Sequence, residues 1–521
     1  MILIIGVIHM STSICILITI ILYLVMMIVI GAVFSKKNKS TDDFFLGGRK
    51  LGPLVTAMSA EASDMSSWLL LGLPGLALIT GLAEATWTAI GLAVGTYLNW
   101  LFVAKRLRIY TQRVGAVTIP DFFSKRFGDD KKILTLISAI FIVVFFVPYT
   151  ASGFVGCGKL FSTIFNIDYF TAMVICALVI ALYCILGGFL AASTTDFVQS
   201  IIMTIALIVV LGFSFKTAGA NAIFDNANSI EGFMDIFKGC NVTDGTVGSY
   251  GALPIASTLA WGLGYFGMPH IILRFMAVED ENKLHISRRV GSIWVVISMS
   301  VAILIGVCGY TLMKNGVVPA YETTSDSERI VIDIASKVAS YGVLPAIVGG
   351  IILAGILASA MSTSDSQLLA ATSSVTQNIV QEFFGVKLSA KTSIWVARVM
   401  VLVISGIAVF LAMNPDSSVF RIVSFAWAGF GATFGPAILF ALYWKRANKW
   451  GILSGMIGGG ALIFIWKFIV RVQFAGTWLD IYELLPSFIF NVILVIAVSL
   501  LTKEPEKEIT DEFDAVVKAA K

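Results

Sequence analysis

The sequence predicts an all-α polytopic membrane protein of 13 transmembrane helices. Its core is expected to be two inverted five-helix repeats in which the second and seventh helices are broken. Three observations carry that reading. Of 521 residues, 58% are apolar and only 13% charged, with a mean hydropathy of +0.91. No ordinary soluble domain has that balance, and the apolar residues fall in separate runs long enough to cross a hydrocarbon core of roughly 30 Å. Lys and Arg crowd into alternate connections. Two spans, five apart, are interrupted by glycine and proline next to polar residues.

Taken in order, the spans run over 11–34, 53–79, 82–103, 133–158, 168–190, 194–214, 252–277, 290–313, 342–376, 394–413, 417–442, 450–470 and 482–501. The first has no basic leader and no small-residue cleavage site, so it reads as a retained helix rather than a signal peptide. With the N-terminus outside, the inner connections hold 27 of the 36 Lys and Arg, among them "KKNK" with Arg49 and Lys50, the loop from Lys105 to Lys132, and the tail. By the positive-inside rule the N-terminus is then outside and the C-terminus cytoplasmic, in a cell membrane. The expected division is 1–51 for the first helix and an inner loop, 52–214 and 252–442 for the repeats, and 215–251 for a polar external loop. Two peripheral helices follow over 443–501, then a polar helical tail over 502–521.

Composition also excludes. The six cysteines show no paired spacing, and all but Cys240 lie in apolar runs, so neither a disulfide framework nor a metal cluster is expected. The only histidines are His9, His270 and His285, and no nucleophile–base or metal-ligand spacing accompanies them, so an enzyme is not expected. No nucleic-acid or kinase module is appended, and nothing points to a cofactor or an obligate protein partner.

Span 2 contains "SAEASDMSSWLLLGLPG", Ser59 to Gly75. An ionised Asp at mid-bilayer costs roughly 3 kcal/mol, so Asp64 must face a protein interior. Gly72-Leu73-Pro74-Gly75 weakens the backbone ladder beyond it, and freed carbonyls are tolerable only where they line a cavity or bind something. Carbonyls, hydroxyls and carboxylates are the ligands of a small hard cation; the alternative is a kinked structural helix whose Asp64 pairs with a neighbour. Span 7, "WGLGYFGMPHIILRFMA", puts Trp261, Tyr265 and Pro269 four apart on one helix face. Such a face suits a small, partly apolar solute, or else plain helix packing. Span 9 clusters Ser359, Ser362, Thr363, Asp365 and Ser366 within two turns, and Asp196 opens span 6 near the inner edge. Hydroxyls in membranes often bond only to the preceding turn, but Asp365 needs a cation, a proton or a donor. Two broken helices five spans apart point to an inverted-repeat secondary transporter with its site at the midplane. A channel would need a continuous polar pore instead.

"ASDMSSWLLLGLPG", "GGFLAASTTDFVQS", "WGLGYFGMPHIILRFMA", "AMSTSDSQLL" and "SFAWAGFGATFGP" together resemble the sodium/solute symporter family, most of all its bacterial sodium/proline branch. The similarity runs from about Asp42 to Leu501. It implies a LeuT-type fold and sodium-coupled uptake of L-proline, or of another small solute such as pantothenate, another amino acid or an organic acid. By motif position it implies Na⁺ ligands at the carbonyls of Ala62, Met65 and Ser359 and the hydroxyls of Ser362 and Thr363, with Asp64 close by. It assigns substrate contacts to Leu54, Ser66, Tyr149, Trp261, Tyr265 and Pro269, with Ser67 beside that pocket, and coupling roles to Arg49 and Arg398. A second cation site would use Asp196, Ser362, Asp365 and Ser366. Three departures stand out: Ser67 replaces a glycine, Glu61 stands where a small residue is common, and Asp365 occupies a position that is a serine in some relatives.

Overall fold

The computed structural model of the chain describes residues 2–35 and 41–520; the basic "KKNK" segment lies outside the described residues. Helices α1 (Ile2–Ser35), α3 (Leu82–Arg113), α4 (Ile133–Phe165), α6 (Phe189–Ala218), α8 (Leu284–Lys314), α9 (Val343–Phe383), α10 (Ala390–Leu411), α11 (Val419–Tyr443), α12 (Lys449–Gln473) and α13 (Leu484–Leu501) are, among the described residues, the ten long and apolar enough to cross a membrane. An eleventh candidate is a pair bent by 59°, α2a (Pro53–Asp64) and α2b (Trp68–Thr80). The remaining two expected spans correspond to a shorter apolar helix, α5 (Tyr169–Gly187), and to a helix in pieces, α7a (Ala252–Leu259) and α7b (Pro269–Ala277) around a 3₁₀ stretch at Ala260–Gly267.

Local chemistry sets the ends of these elements. Asp168, Ser389, Ser418 and Asn448 each accept a backbone N–H of the first turn of α5, α10, α11 and α12, satisfying donors that a helix start leaves orphaned. Gly81, at φ 67°, makes the tight corner between α2b and α3. The 215–251 loop holds a helix (Ala220–Asn228) and a two-stranded hairpin pairing Lys238–Cys240 with Val247–Ser249.

The main apolar cluster of the interior has α9 packed along α1, α4 and α6, with the 3₁₀ stretch of α7 between α3 and α11, and a small second cluster around Phe233 and Cys308 lies under the 215–251 loop. Helices α12 and α13 pair with each other on the flank of α11. The tail forms a helix, Lys507–Ala520, docked on the C-terminal end of α3, where Arg113 reaches Glu512 at 2.6 Å.

Candidate ion and substrate site

A cluster of polar groups gathers where α2 breaks. Helix α2a stops at Asp64; Met65 takes φ −74° and ψ 57°, and the Ser66 N–H bonds the Asp64 carbonyl at 2.8 Å. That is an inverse γ-turn. The sequence put the weak point at Gly72–Gly75, and the structure moves it to Met65. Pro74 lacks an N–H, but a widened turn over Trp68–Gly72 absorbs the loss, with the Leu73 N–H reaching the Trp68 carbonyl. Gly75 serves close packing instead: a Cβ there would lie 2.8 Å from the Glu328 nitrogen. In α7 the break falls where expected, with Met268 extended ahead of Pro269.

Helix α9 crosses α2a just before this turn. Ser362 Oγ donates to the Ala62 carbonyl at 2.8 Å and lies 3.3 Å from the Ser359 carbonyl. Three of the expected ligand oxygens therefore converge on one point. Beside them, Thr363 Oγ1 is buried with no hydrogen-bond partner, a cost that a bound cation would remove. Ser359 turns its own hydroxyl back to the Ile356 carbonyl at 2.7 Å, which leaves only its carbonyl facing the site.

On the other side of the turn, Asp64, Met65, Trp68, Tyr149, Trp261 and Trp427 enclose a nearly shut cavity of ≈ 10 Å³, with Leu92 and Val423 completing its walls. Tyr265 donates its hydroxyl to Asp64 Oδ2, and the Tyr149 hydroxyl sits 3.4 Å from the Asp64 carbonyl. The Trp427 indole N–H bonds the Trp261 carbonyl at 2.7 Å, a group freed by the 3₁₀ geometry of α7. A Cβ on Gly264 would collide with that indole. This is why glycine interrupts the helix at that position.

A vestibule of ≈ 730 Å³ opens on the side of the 215–251 loop and ends on Trp261 and Phe420. Trp261 lines both this vestibule and the inner cavity. Its ring lies 5.4 Å from Phe420, 5.2 Å from Tyr482 and 5.9 Å from Trp68, so an aromatic layer separates the two spaces.

The opposite side is closed by charge. Arg274 of α7b donates to Asp196 Oδ2 (2.7 Å), Ser59 Oγ (2.6 Å), Ser366 Oγ (2.6 Å) and the His270 carbonyl (2.5 Å). Ser59 also donates to Asp196 Oδ2 at 2.7 Å, and Ser366 to Asp365 Oδ1 at 3.1 Å. Both ions of the pair are fully buried, so α2a, α6, α7b and α9 are tied at one node. Asp196 Oδ1 and Asp365 Oδ2 have no partner.

The expected residues separate accordingly. The structure brings together Ala62, Asp64, Met65, Ser66, Tyr149, Trp261, Tyr265, Ser359, Ser362 and Thr363; the Ser66 hydroxyl caps the turn, accepting the Trp68 N–H at 3.2 Å. Leu54 is not at the pocket. It is half exposed in the first turn of α2a, ten residues and so about 15 Å along the helix from Asp64. Ser67 does not line the cavity either; it packs against Gly156 of α4, where a Cβ would meet its Oγ at 2.9 Å. Pro269 is buried at the start of α7b and acts on the backbone. Asp196 is paired with Arg274 rather than held open for a second cation. Arg49 pins the segment ahead of α2a to α7b and to the stretch after α3, donating to the carbonyls of Met276 (2.6 Å) and Ala116 (2.7 Å). Arg398 is exposed on α10, apart from these residues. Arg274, Trp427 and Phe420 were not singled out from sequence. The signal for Arg274 was available: it is the one cation in the otherwise apolar "IILRFMA".

A family model described as the sodium:solute symporter family matches residues 44–459. The chain belongs to the sodium:solute symporter family. It is a multi-pass membrane transporter and not an enzyme. Among curated relatives of this symporter, the osmoregulated proline transporter of Bacillus subtilis (strain 168) is 43% identical, covering 95% of this chain and 96% of that protein. The sodium/proline symporter of Escherichia coli (strain K12) is 40% identical over 97% of this chain and 96% of that one. Among solved structures, a Na⁺-coupled sialic acid symporter in a substrate-bound, outward-open state superposes with a TM-score of 0.75 at 16% identity, covering 95% of this chain and 99% of that one. MhsT in complex with L-phenylalanine gives a TM-score of 0.55 at 13% identity, covering 87% and 98%. The fold is thus that of LeuT-type symporters.

Proposed function

We propose that this protein takes up L-proline across the cell membrane, coupled to Na⁺, by alternating access. The observation that carries the reading is the meeting of two sites at one turn. On one side of Met65 a serine of α9 bridges two backbone carbonyls; on the other lies an aromatic cavity closed by Trp261. The relatives' names, proline transporter and sodium/proline symporter, supply the solute and the ion.

In this cycle Na⁺ enters from the vestibule and takes the oxygens of Ala62, Met65, Ser359, Ser362 and Thr363. It replaces the Ser362 hydrogen bond to Ala62, so the ion itself joins α2a to α9. The ordered turn then presents Asp64, Tyr149 and Tyr265 to proline, whose ring fits among Trp68, Trp261 and Trp427 as the aromatic layer opens and recloses. Release inward follows when the Arg274–Asp196 node separates α2a and α7b from α6 and α9. Sodium and proline each raise the other's affinity, since binding coupling is reciprocal. The N-terminus and the vestibule face outside, and the tail faces the cytoplasm.

One Na⁺ is energetically sufficient. A charge crossing roughly 100 mV gains about 2.3 kcal/mol, and a roughly tenfold sodium gradient adds about 1.4 kcal/mol. Their sum supports accumulation of roughly a few hundredfold.

The test is uptake of labelled L-proline by proteoliposomes under an inward Na⁺ gradient or a matched K⁺ gradient. Concentrative uptake that needs Na⁺ is the expected result. Sodium-driven uptake of a different solute, with proline a poor competitor, would keep the transport class and reject the substrate.

A further inference from the structure

The tail helix, Lys507–Ala520, has no part in the cycle just proposed, yet it is built to hold something. Ile509, Phe513, Val516 and Val517 recur at helical spacing on one face, and Phe513 and Val516 are buried. That face lies on the C-terminal end of α3 and on the short helix that follows it, Ile119–Phe127. Gly128, at φ 59°, leaves room for it: a Cβ there would lie 2.7 Å from Ile509 Cδ1.

Around this apolar seat stand three ion pairs, all open to solvent. Arg113, the last residue of α3, donates to both carboxylate oxygens of Glu512, at 2.6 and 3.2 Å. Lys445, just beyond α11, donates to Asp514 Oδ2, and Arg446 beside it lies 3.5 Å from Glu504, which precedes the tail helix. The tail thus spans from α3 to the α11–α12 connection. Those two ends also meet directly, where Arg106 donates to the Leu442 carbonyl at 3.0 Å. On its other side α3 is bonded to α7b, since Arg108 donates at 2.7 Å to the carbonyl of Val278, the residue after α7b.

Beneath the seat is a charge that docking leaves short of partners. Arg126 is 1% exposed; its Nε donates to the Ala441 carbonyl at 2.9 Å, while Nη1 and Nη2 are buried with no acceptor. The rings of Phe127, Phe513 and Tyr110 stand 4.7, 5.0 and 5.5 Å from its Cζ and return part of the lost hydration. Lifting the tail helix would take away the Phe513 ring and give those donors water. Burial of the apolar face favours docking and the unmet guanidinium opposes it. The exposed ion pairs therefore weigh in the balance.

We infer that the tail helix is a clasp on inward release, loosened by ionic strength on the side of the membrane that it faces. The inference rests on the alternating-access reading and adds a control to its last step. When α7b leaves α6 and α9, α3 moves with it through Arg108, and a helix anchored both on α3 and beyond α11 resists. Salt screens exposed charge pairs, the Debye length falling from about 10 Å at 0.1 M to about 3 Å at 1 M, and leaves apolar contact in place. Screening the three pairs frees the tail and speeds turnover.

Two readouts test this. Proteoliposomes are loaded with N-methylglucamine glutamate at roughly 0.05 to 0.5 M, balanced outside by sucrose so that ionic strength changes and volume does not. Initial uptake of labelled L-proline is followed at fixed external Na⁺. Wild-type uptake is expected to rise roughly threefold over that range. The protein lacking residues 507–521, and the double variant Glu512→Gln/Asp514→Asn, which keeps the apolar face, should start fast and stay flat. Pulsed spin-label distances between the exposed positions Lys131→Cys and Lys518→Cys read the tail without any substrate. One distance is expected at low salt and a broad distribution at high salt. The same salt response in wild type and both variants would overturn the inference. So would variants slower than wild type, which would make the tail a structural brace, or a label distance that ignores salt. Absence of Na⁺-driven proline uptake in every protein would instead reject the alternating-access reading, and the label distances would still decide whether salt frees the tail.

Discussion

Ser362 of α9 hands its hydroxyl proton to the carbonyl of Ala62 in α2a, 2.8 Å away, in the last turn before the helix breaks. A hydroxyl that bridges two helices still has lone pairs to offer a cation. Ser362→Ala removes both roles. Half-maximal Na⁺ for proline uptake should rise at least tenfold, and Ser362→Thr should restore most of the loss. Thr363→Val should behave like Ser362→Ala, because Thr363 Oγ1 has nothing else to bind. Sodium titration of initial uptake rates measures all three; unaltered sodium dependence in both Ser362→Ala and Thr363→Val would remove the site from this position.

The node on the other side of the molecule makes a prediction about stability. Arg274 is 1% and Asp196 0% exposed, and they meet at 2.7 Å. Removing one partner of such a pair costs about 3–5 kcal/mol, because the other charge stays buried, whereas neutralising both costs much less. Arg274→Gln or Asp196→Asn alone should lower the unfolding temperature in detergent more than the double variant does. The double variant should fold yet show impaired coupling, with proline leaking down its gradient without Na⁺, since the charged node that ties α2a and α7b to α6 and α9 is gone.

The aromatic layer predicts accessibility. Trp261 and Phe420 stand 5.4 Å apart at the floor of the vestibule, and Val423 lines the cavity beneath. A cysteine at position 423 should react slowly with a membrane-impermeant thiol reagent. In a Phe420→Ala background it should react at least tenfold faster, measured against a control that keeps Val423. Equal rates would mean that some other group closes the cavity.

Much of this was legible in the residues. Hydropathy and basic clustering gave the helical membrane class, because a bilayer punishes any other arrangement of unsatisfied backbone. The site's hydroxyls and its aromatic face were legible too, since they violate what a lipid-facing helix tolerates. The exact break in α2 was not: Gly72, Pro74 and Gly75 announce weakness, but tertiary packing against Glu328 and Gly306 keeps that stretch helical. The turn falls instead at Met65, where the Ser63 and Ser66 hydroxyls bond the backbone on either side. Leu54 and Ser67 show what a motif leaves out: Leu54 lies about 15 Å along the helix from Asp64, and Ser67 turns to the face that meets Gly156. Pairings across helices, such as Arg274 with Asp196, are set by three-dimensional register and leave only an isolated charge in an apolar run as their trace.

The remaining question of how many sodium ions move turns on that same pairing. Asp196 and Asp365 could have formed a cage for a second ion, yet Arg274 already supplies a positive charge there, bonded to Asp196 directly and to Asp365 through Ser366. A cation entering beside the guanidinium would meet its repulsion at close range. The expected Na⁺:proline ratio is therefore one, and it should stay one in Asp365→Asn. Reversal-potential measurements on proteoliposomes read the ratio directly, since zero net flux at a known proline gradient fixes how many ions balance it. A ratio of two in the wild type that falls to one in Asp365→Asn would place a second ion on Asp365 and require Arg274 to withdraw when it binds.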